Sequence, residues 1–333
     1  MKNPIGLIVD GLQGFCSMAS DPTAYPLTPR VASSGDLVLD RRREWALAAT
    51  AEGFHRGAAE IYEQILERAP WWAVAWFELG DAREQMGDRP GAIAAFEAAA
   101  ARDGQGLLAA DLRLAALGAG ETPAAPSAAY VTGLFDQYAD NFDRHLVEAL
   151  EYRGPAILND ALRRVCVALG RPVHFDLAYD LGCGTGLMGL EIKHCCAAID
   201  GVDLSRGMIE AARKTGVYRG LEAGEIVQWL DSRSEAQAAL VIAADVFVYL
   251  GDLAPVFAAS ARALAAGGLF VFSVQKGDAD FSVGADMRYA HSAENLRRLA
   301  AAHGFRLHAL EEVSTRKDRG APVPGLAVVM GKD

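Results

Sequence analysis

Cysteine is scarce in this chain: Cys16, Cys166, Cys183, Cys195 and Cys196 are the only five among 333 residues. An odd number without ligand-like spacing excludes a disulfide framework and argues against a structural zinc site. His194, Cys195 and Cys196 are consecutive, and consecutive side chains diverge rather than converge on one ion, so no metal site is expected. Basic residues are also in deficit, with 32 Lys and Arg against 43 Asp and Glu and a net charge of −11. That balance makes a long nucleic acid an unsuitable partner, and Arg41-Arg42-Arg43 is too short a run to reverse it. No apolar run approaches the roughly twenty residues of a membrane helix. The opening residues Met1 to Asp10 carry little positive charge and an apolar patch broken by Asp10, so a secretory signal is not expected and the cytoplasm is the expected compartment. What remains is ordinary globular material, 51% hydrophobic and 23% charged, and long enough for two cores.

Glycine, in contrast, is concentrated where it carries information. The apolar run Phe175 to Leu181 breaks into Gly182-Cys183-Gly184-Thr185-Gly186 and resumes as Leu187-Met188-Gly189-Leu190-Glu191-Ile192. That pattern reads as a buried strand, a tight turn and a helix. Glycines let the backbone approach a ligand where a Cβ would collide. About twenty residues on, Ile199 to Leu204 reads as a second strand ending in Asp203, a carboxylate placed to accept both hydroxyls of an adenosine ribose. A glycine turn alone also suits nicotinamide-dependent enzymes, but their third glycine would fall at Leu187, whereas here Gly186 completes G-x-G-x-G. Asp180-Leu-Gly-Cys-Gly-Thr-Gly186 resembles motif I of class I S-adenosylmethionine-dependent methyltransferases, and Gly201-Val-Asp-Leu-Ser205 resembles their ribose-binding acid.

Residues 1–38 lack periodicity and are expected to form an irregular arm. Residues 39–120 read as helical. Phe54, Ala58, Tyr62, Ile65 and Leu66 recur at helical steps up to Pro70; Trp76, Leu79 and Gly80 mark another helix, and Ala92, Phe96 and Ala99 the next, joined through Gly87-Asp88. A shift of thirty-four residues places Ala92 on Ala58, Phe96 on Tyr62 and Gly104 on Pro70, a period that resembles the tetratricopeptide repeat. The first repeat lacks the Trp and Gly of the second, so the module is a small annex with a closing helix around Leu107, Leu112, Leu114 and Leu117. Trp71, Trp72 and Trp76 are either its core and cap or a partner-binding face.

Glu121 to Ser127 has linker chemistry, and residues 121–333 are assigned to the methyltransferase domain. The aromatic-rich stretch Tyr130 to Leu146 resembles the helix that covers the cofactor in this class, with Phe135 and Phe142 expected simply to pack on the sheet. Strands are expected near 175–181, 198–203, 217–223, 239–246, 269–274, 306–313 and 326–330, with a helix at 293–303. The last two strands have only a loop with Gly320 and Pro322 between them and are expected to be antiparallel. The fold class is therefore an α/β Rossmann-like, seven-stranded class I methyltransferase domain behind an all-α tetratricopeptide-like module. The chain as a whole resembles bacterial tetratricopeptide-repeat-containing class I methyltransferases.

That resemblance implies S-adenosyl-L-methionine as cofactor and assigns residues to it. Gly182, Gly184 and Gly186 wrap its methionine half with Asp180 near the ammonium; Asp203 holds the ribose; Leu204 and Met208 flank the adenine. Glu225 stands where the family usually has Asp for the adenine amino group, or else it simply initiates a helix. Asp245 lines the methyl-transfer cleft, and Tyr130 and Tyr138 close over the cofactor. Methyl transfer asks the protein mainly for alignment and exclusion of water, and needs a base only for an un-ionised hydroxyl or an ammonium. Tyr249 and His291 are the catalytic candidates, His291 alternatively being part of the cap around Ser292. Arg288 and Arg316 are anion anchors for the acceptor, or exposed ion pairs. The acceptor is a small molecule, a carrier-bound group or a protein, and the helical module recruits a partner or shapes the acceptor site. A cofactor-holding scaffold without turnover is the alternative.

Overall fold

The structure, a computed structural model, describes residues 33–136, 152–318 and 320–333. The chain divides into two compact units, one ending at Glu121 and one beginning at Thr122.

The first unit is helical: α1 Leu37–Ala51, α2 His55–Arg68, α3 Ala73–Gln85, α4 Arg89–Ala100 and α5 Ala110–Ala116. Local chemistry sets their starts. Asp36 caps α1 by accepting from Val38 N, and Asp88 caps α4 by accepting from Gly91 N at 3.0 Å with Pro90 in the first turn. Between α3 and α4, Gly87 takes a left-handed φ of 76° that only glycine adopts freely. The two helices close on one another because Gly80 has no side chain: a Cβ there would lie 2.6 Å from the Phe96 ring. Phe96 in turn meets Phe77 edge-on at 5.2 Å. Buried Glu78 takes a bidentate contact from Arg43 Nε at 2.8 and 3.0 Å. Of Trp71, Trp72 and Trp76, Trp72 is buried; Trp76 donates to Pro70 O and carries Arg102 over its ring; Trp71 is exposed. Phe54 is also exposed, because it precedes α2 instead of lying on its apolar face.

The second unit is an α/β sandwich. In chain order it comprises α6 Ala128–Asp136, α7 Gly154–Ala168, β1 Phe175–Leu181, α8 Leu187–Ile192, β2 Cys196–Asp203, α9 Arg206–Lys214, β3 Gly220–Ala223 and α10 Ile226–Asp231. There follow β4 Ala238–Ala243, a 3-10 turn Phe247–Tyr249, α11 Ala254–Ala263, β5 Leu264–Lys276, β6 Phe281–Val283, β7 Tyr289–His291 and α12 Ala293–Ala302. β8 Phe305–Val313, β9 Lys317–Asp318, β10 Ala321–Pro322 and β11 Gly325–Lys332 complete it. The sheet order is β3-β2-β1-β4-β5-β11-β8. Its first five strands are parallel, and β11 runs antiparallel to both neighbours.

Both faces are covered, which is why the central strands read as unbroken apolar runs. Val241, Ala243, Phe270, Phe272, Val328 and Met330 face one way, toward Trp229 of α10, Phe257 of α11 and Leu296 of α12. Their alternates Leu240, Ile242, Leu269, Val271, Ala327 and Val329 face α7 and α8 through Leu158, Leu162, Val165, Met188 and Ile192.

The sheet is larger than the seven strands expected. β6 pairs antiparallel with β7, and β7 joins β5 in parallel at Gln275 and Lys276, so the sheet has nine strands. Three residues each leave no period to read. A small hairpin of β9 and β10 fills the connection expected as a plain loop. β3 begins at Gly220, later than expected; just before it the Tyr218 and Arg219 side chains bond to Asp180 and Asp200.

Candidate functional site

A cavity of about 250 Å³ opens at the carboxyl ends of the central strands. It is lined by the turn after β1, by the ends of β2, β3 and β4, and by α6. This is the edge at which open α/β sheets place their ligands.

The turn Gly182 to Gly186 has its shape because three glycines adopt left-handed angles, with φ of 61° at Gly182, 52° at Gly184 and 97° at Gly186. A Cβ at Gly182 would strike Val246 at 2.6 Å, whereas one at Gly184 would meet nothing within 4 Å, since that glycine faces open space. Gly182, Cys183, Gly184 and Thr185 line the cavity, and Gly186 lies behind them as the residue preceding α8. Asp203 is fixed beside the turn: Gly184 N donates to its Oδ2 at 3.0 Å and Ser205 N to its Oδ1 at 2.9 Å. Burial holds this carboxyl above its ordinary value, and those two amides pull it back toward ionisation. Each carboxylate oxygen keeps a second lone pair. Leu204, Met208 and Glu225 complete this end. Glu225 also caps α10, accepting from Val227 N at 2.9 Å and Gln228 N at 2.8 Å, so the two roles open to it are not exclusive.

α6 borders the same space through Ala128, Val131 and Phe135. It is tied down where Asp136 accepts from Ser205 Oγ. Phe135, expected merely to pack on the sheet, instead lines the cavity and meets Tyr249 edge-on at 5.3 Å.

A second group of lining residues comprises Asp245, Tyr249, Arg288, Arg316 and Tyr152. Tyr249 lies beneath the Arg288 guanidinium, 5.9 Å from its ring centre. Burial works against the charge of Arg288, but Tyr249, Asp286 and Asp245 hold its pKa above the ordinary value. Arg316 is 7% exposed, and burial together with Arg288 pulls its pKa below the ordinary value. These arginines are therefore not exposed ion pairs.

Besides Gly186, three expected contacts among the described residues do not reach the cavity. His291 is fully buried, its Nε2 3.2 Å from Phe247 O, because β7 draws it into the sheet; no acceptor can touch it. Tyr130 is buried next to Val131 and is absent from the lining, and Tyr138 lies outside the described residues. Asp180 sits beneath the turn, 1% exposed, and accepts from Tyr218 Oη at 2.7 Å. The slot for that tyrosine exists because positions 189 and 201 are glycine; a Cβ at Gly189 would lie 2.5 Å from the Tyr218 Cζ. Tyr152, Tyr218 and Thr315 were not legible as site residues, since nothing in their local sequence marks them; Phe135 lay in the stretch likened to a cofactor-covering helix but was expected only to pack.

Burial pushes the Asp180 carboxyl up to about 7 from its ordinary 3.8. The folded chain thus keeps a proton that the unfolded chain has released between pH about 4 and about 7, so stability from this group is present below that window and falls as pH rises through it. Asp180→Asn keeps an acceptor for Tyr218 but never ionises. Its urea midpoint is expected to fall less than that of the parent chain between pH 4.5 and 7.5 (about three units of pH); equal declines would show that Asp180 does not titrate there.

Among the described residues no cluster of three His, Cys, Asp or Glu is arranged for a metal, and no helix is long and apolar enough to cross a membrane.

Comparison with known proteins agrees with this geometry. A family model described as a methyltransferase domain matches residues 179–270, which run from β1 into β5. Methyltransferase-like protein 27 of Homo sapiens is 36% identical over 97 residues, covering 29% of this chain and 38% of that protein. Aklanonic acid methyltransferase DauC of Streptomyces sp. (strain C5) is 34% identical over 94 residues, covering 27% of this chain and 39% of that protein. The chain thus spans less than two fifths of the length of these curated relatives, as the 38% and 39% coverages state. Among solved structures, the N-methyltransferase NodS from Bradyrhizobium japonicum WM9, in complex with S-adenosyl-L-homocysteine, aligns with a TM-score of 0.47 at 18% identity, over 61% of this chain and 98% of that one.

Proposed function

We propose that this protein is an S-adenosylmethionine-dependent methyltransferase. The observation that carries the reading is the convergence, on one cavity, of the glycine turn after β1 and the amide-held carboxylate of Asp203 at the end of β2. The match of residues 179–270 to a methyltransferase domain supports it. S-adenosylmethionine, when bound, supplies a methyl group already activated on a sulfonium. The chain's own residues bind and orient it and exclude water.

Gly182 and Gly184 receive the methionine half, with Gly186 and the buried Asp180–Tyr218 pair shaping the turn from behind. Asp203 takes the ribose hydroxyls, Leu204 and Met208 flank the adenine, and Glu225 has acceptor capacity for the adenine amino group beyond its two cap bonds. α6 covers the site, Val131 and Phe135 being its contributions. At the far end Tyr249, Arg288 and Arg316 meet the acceptor, the arginines through an anionic group.

The helical unit is proposed to be tetratricopeptide-like and to recruit a protein partner. Its support is the close approach of α3 and α4 at Gly80 and Phe96, residues that mark the two helices of the second repeat. The corresponding domains are an arm at 1–38, the helical domain at 39–120 and the catalytic domain at 121–333. The free cysteines Cys166, Cys183, Cys195 and Cys196 suit a reducing compartment, and the proposed location is the cytoplasm.

Calorimetric titration tests the central assignment. S-adenosylhomocysteine is expected to bind with a Kd on the order of micromolar, about −8 kcal/mol, and NADH not at all. Binding of NADH in place of the nucleoside thioether would overturn the reading.

A further inference from the structure

Two guanidiniums share the acceptor end of the cavity, and neither is matched by a close carboxylate. Arg288 forms no ion pair among the described residues. Arg316 has only long contacts, 3.2 Å to Gln275 Oε1 and 3.4 Å to Asp286 Oδ2, where a strong charge-assisted bond would be nearer 2.7–2.9 Å. Like charges held together in a partly desolvated space favour an anion between them.

The same space contains an acceptor of the opposite character. Asp245 follows β4 with a φ of 56°, a left-handed conformation rare outside glycine that Asp and Asn tolerate best. Its amide donates to Ser273 Oγ at 2.9 Å, Ser273 Oγ donates back to Oδ1 at 2.8 Å, and Thr315 Oγ1 donates to the carboxylate at 2.9 Å from Oδ2. Strain held in place by three bonds at a cavity wall marks a built feature. A carboxylate has about four lone-pair positions, and two hydroxyl donors leave acceptor capacity over. Apolar and aromatic side chains, among them Tyr152, Val248 and Leu250, line the same cavity.

We propose that the acceptor is a small molecule bearing both a carboxylate and an N–H or O–H donor on one apolar frame, with Arg288 and Arg316 holding the carboxylate and Asp245 accepting from the donor. A neutral hydrophobe would leave Arg288 without a hydrogen-bonded anion and Arg316 with only its long contact to Asp286. A simple carboxylate would leave the spare acceptor capacity of Asp245 unused. Asp245 is thus the residue that selects for the donor group, and it places the donor atom; the inference rests on the methyl-transfer reading above.

The test is calorimetry on the full chain saturated with S-adenosylhomocysteine, using 2-, 3- and 4-aminobenzoate, benzoate and aniline as probes. At least one aminobenzoate is expected to bind roughly tenfold or more tighter than both benzoate and aniline, each of which lacks one of the two groups. Asp245→Asn keeps the backbone conformation, and its amide oxygen engages the hydroxyl donors, turning the NH2 toward the ligand. It is expected to erase the aminobenzoate advantage without weakening benzoate, since a carboxylate near Arg288 and Arg316 is lost, whereas Arg288→Gln weakens aminobenzoate and benzoate alike. Unchanged S-adenosylhomocysteine affinity in each variant confirms an intact fold. Retained S-adenosylhomocysteine binding without any aminobenzoate preference, or an Asp245→Asn variant that weakens benzoate equally, overturns the inference and leaves the methyl-transfer reading standing. Loss of S-adenosylhomocysteine binding by the parent chain overturns both.

Discussion

Asp203→Ala is expected to weaken S-adenosylhomocysteine binding by roughly 100- to 1,000-fold, a loss of about 3–4 kcal/mol. Two effects add. The ribose loses an ionised partner, and hydrogen bonds to charged groups contribute about 1.5–3 kcal/mol each. The turn also loses its tether, because the same carboxylate holds Gly184 N and Ser205 N. Asp203→Asn separates the two: it can keep one amide contact but gives up the charge, and should fall between parent and alanine variants. Calorimetry reads both, with thermal unfolding as the check on folding. An alanine variant that binds within about fivefold of the parent, under 1 kcal/mol, would remove Asp203 from the site.

The largest effect on stability is expected at Phe96 in the helical unit. Its ring is fully buried, meets Phe77 at 5.2 Å and lies under the Arg113 guanidinium at 5.2 Å. Phe96→Ala should cost about 3–5 kcal/mol, the usual range for deleting a buried phenyl ring. The reason relaxation is limited is Gly80, which offers no side chain to fill the space. A double-mutant cycle makes the contact explicit. Gly80→Ala alone drives a Cβ into the ring and should destabilise; in the Phe96→Ala background the same methyl fills vacated volume and should be neutral or favourable. Urea unfolding followed by circular dichroism measures both, and additive effects would show that α3 and α4 do not meet at these residues.

The parts of this molecule that were legible in the sequence are those written by short-range rules. β1 and its turn followed from an apolar run broken by glycines at alternate positions, and the left-handed angles at Gly182, Gly184 and Gly186 give the physical reason for them. The antiparallel pairing of β8 with β11 followed from the absence of a helix between them. His291 sits beside the Ser292 cap, the alternative weighed for it, because β7, three residues long and too short to show a period, pulls the imidazole under the sheet edge. Phe135, Tyr152 and Thr315 escaped for a different reason. Their place at the cavity or against Asp245 depends on elements far apart in sequence, and Thr315 reaches a carboxylate seventy positions earlier. Arg288 and Arg316 were legible as cations near strand ends, but only the fold shows that both enter the same desolvated space.

The position of β11 has a consequence for synthesis. It is made after β8 yet is inserted between β5 and β8, pairing with each along nearly its whole length. While translation has not yet delivered residues 325–332 beyond the ribosome, β5 and β8 each carry an unmated backbone edge, that of β5 rich in valine and phenylalanine. Such edges recruit one another between nascent chains. The sheet therefore closes by a zipping event that seals two seams at once, and a chain released before residues 325–332 are made would be prone to clump.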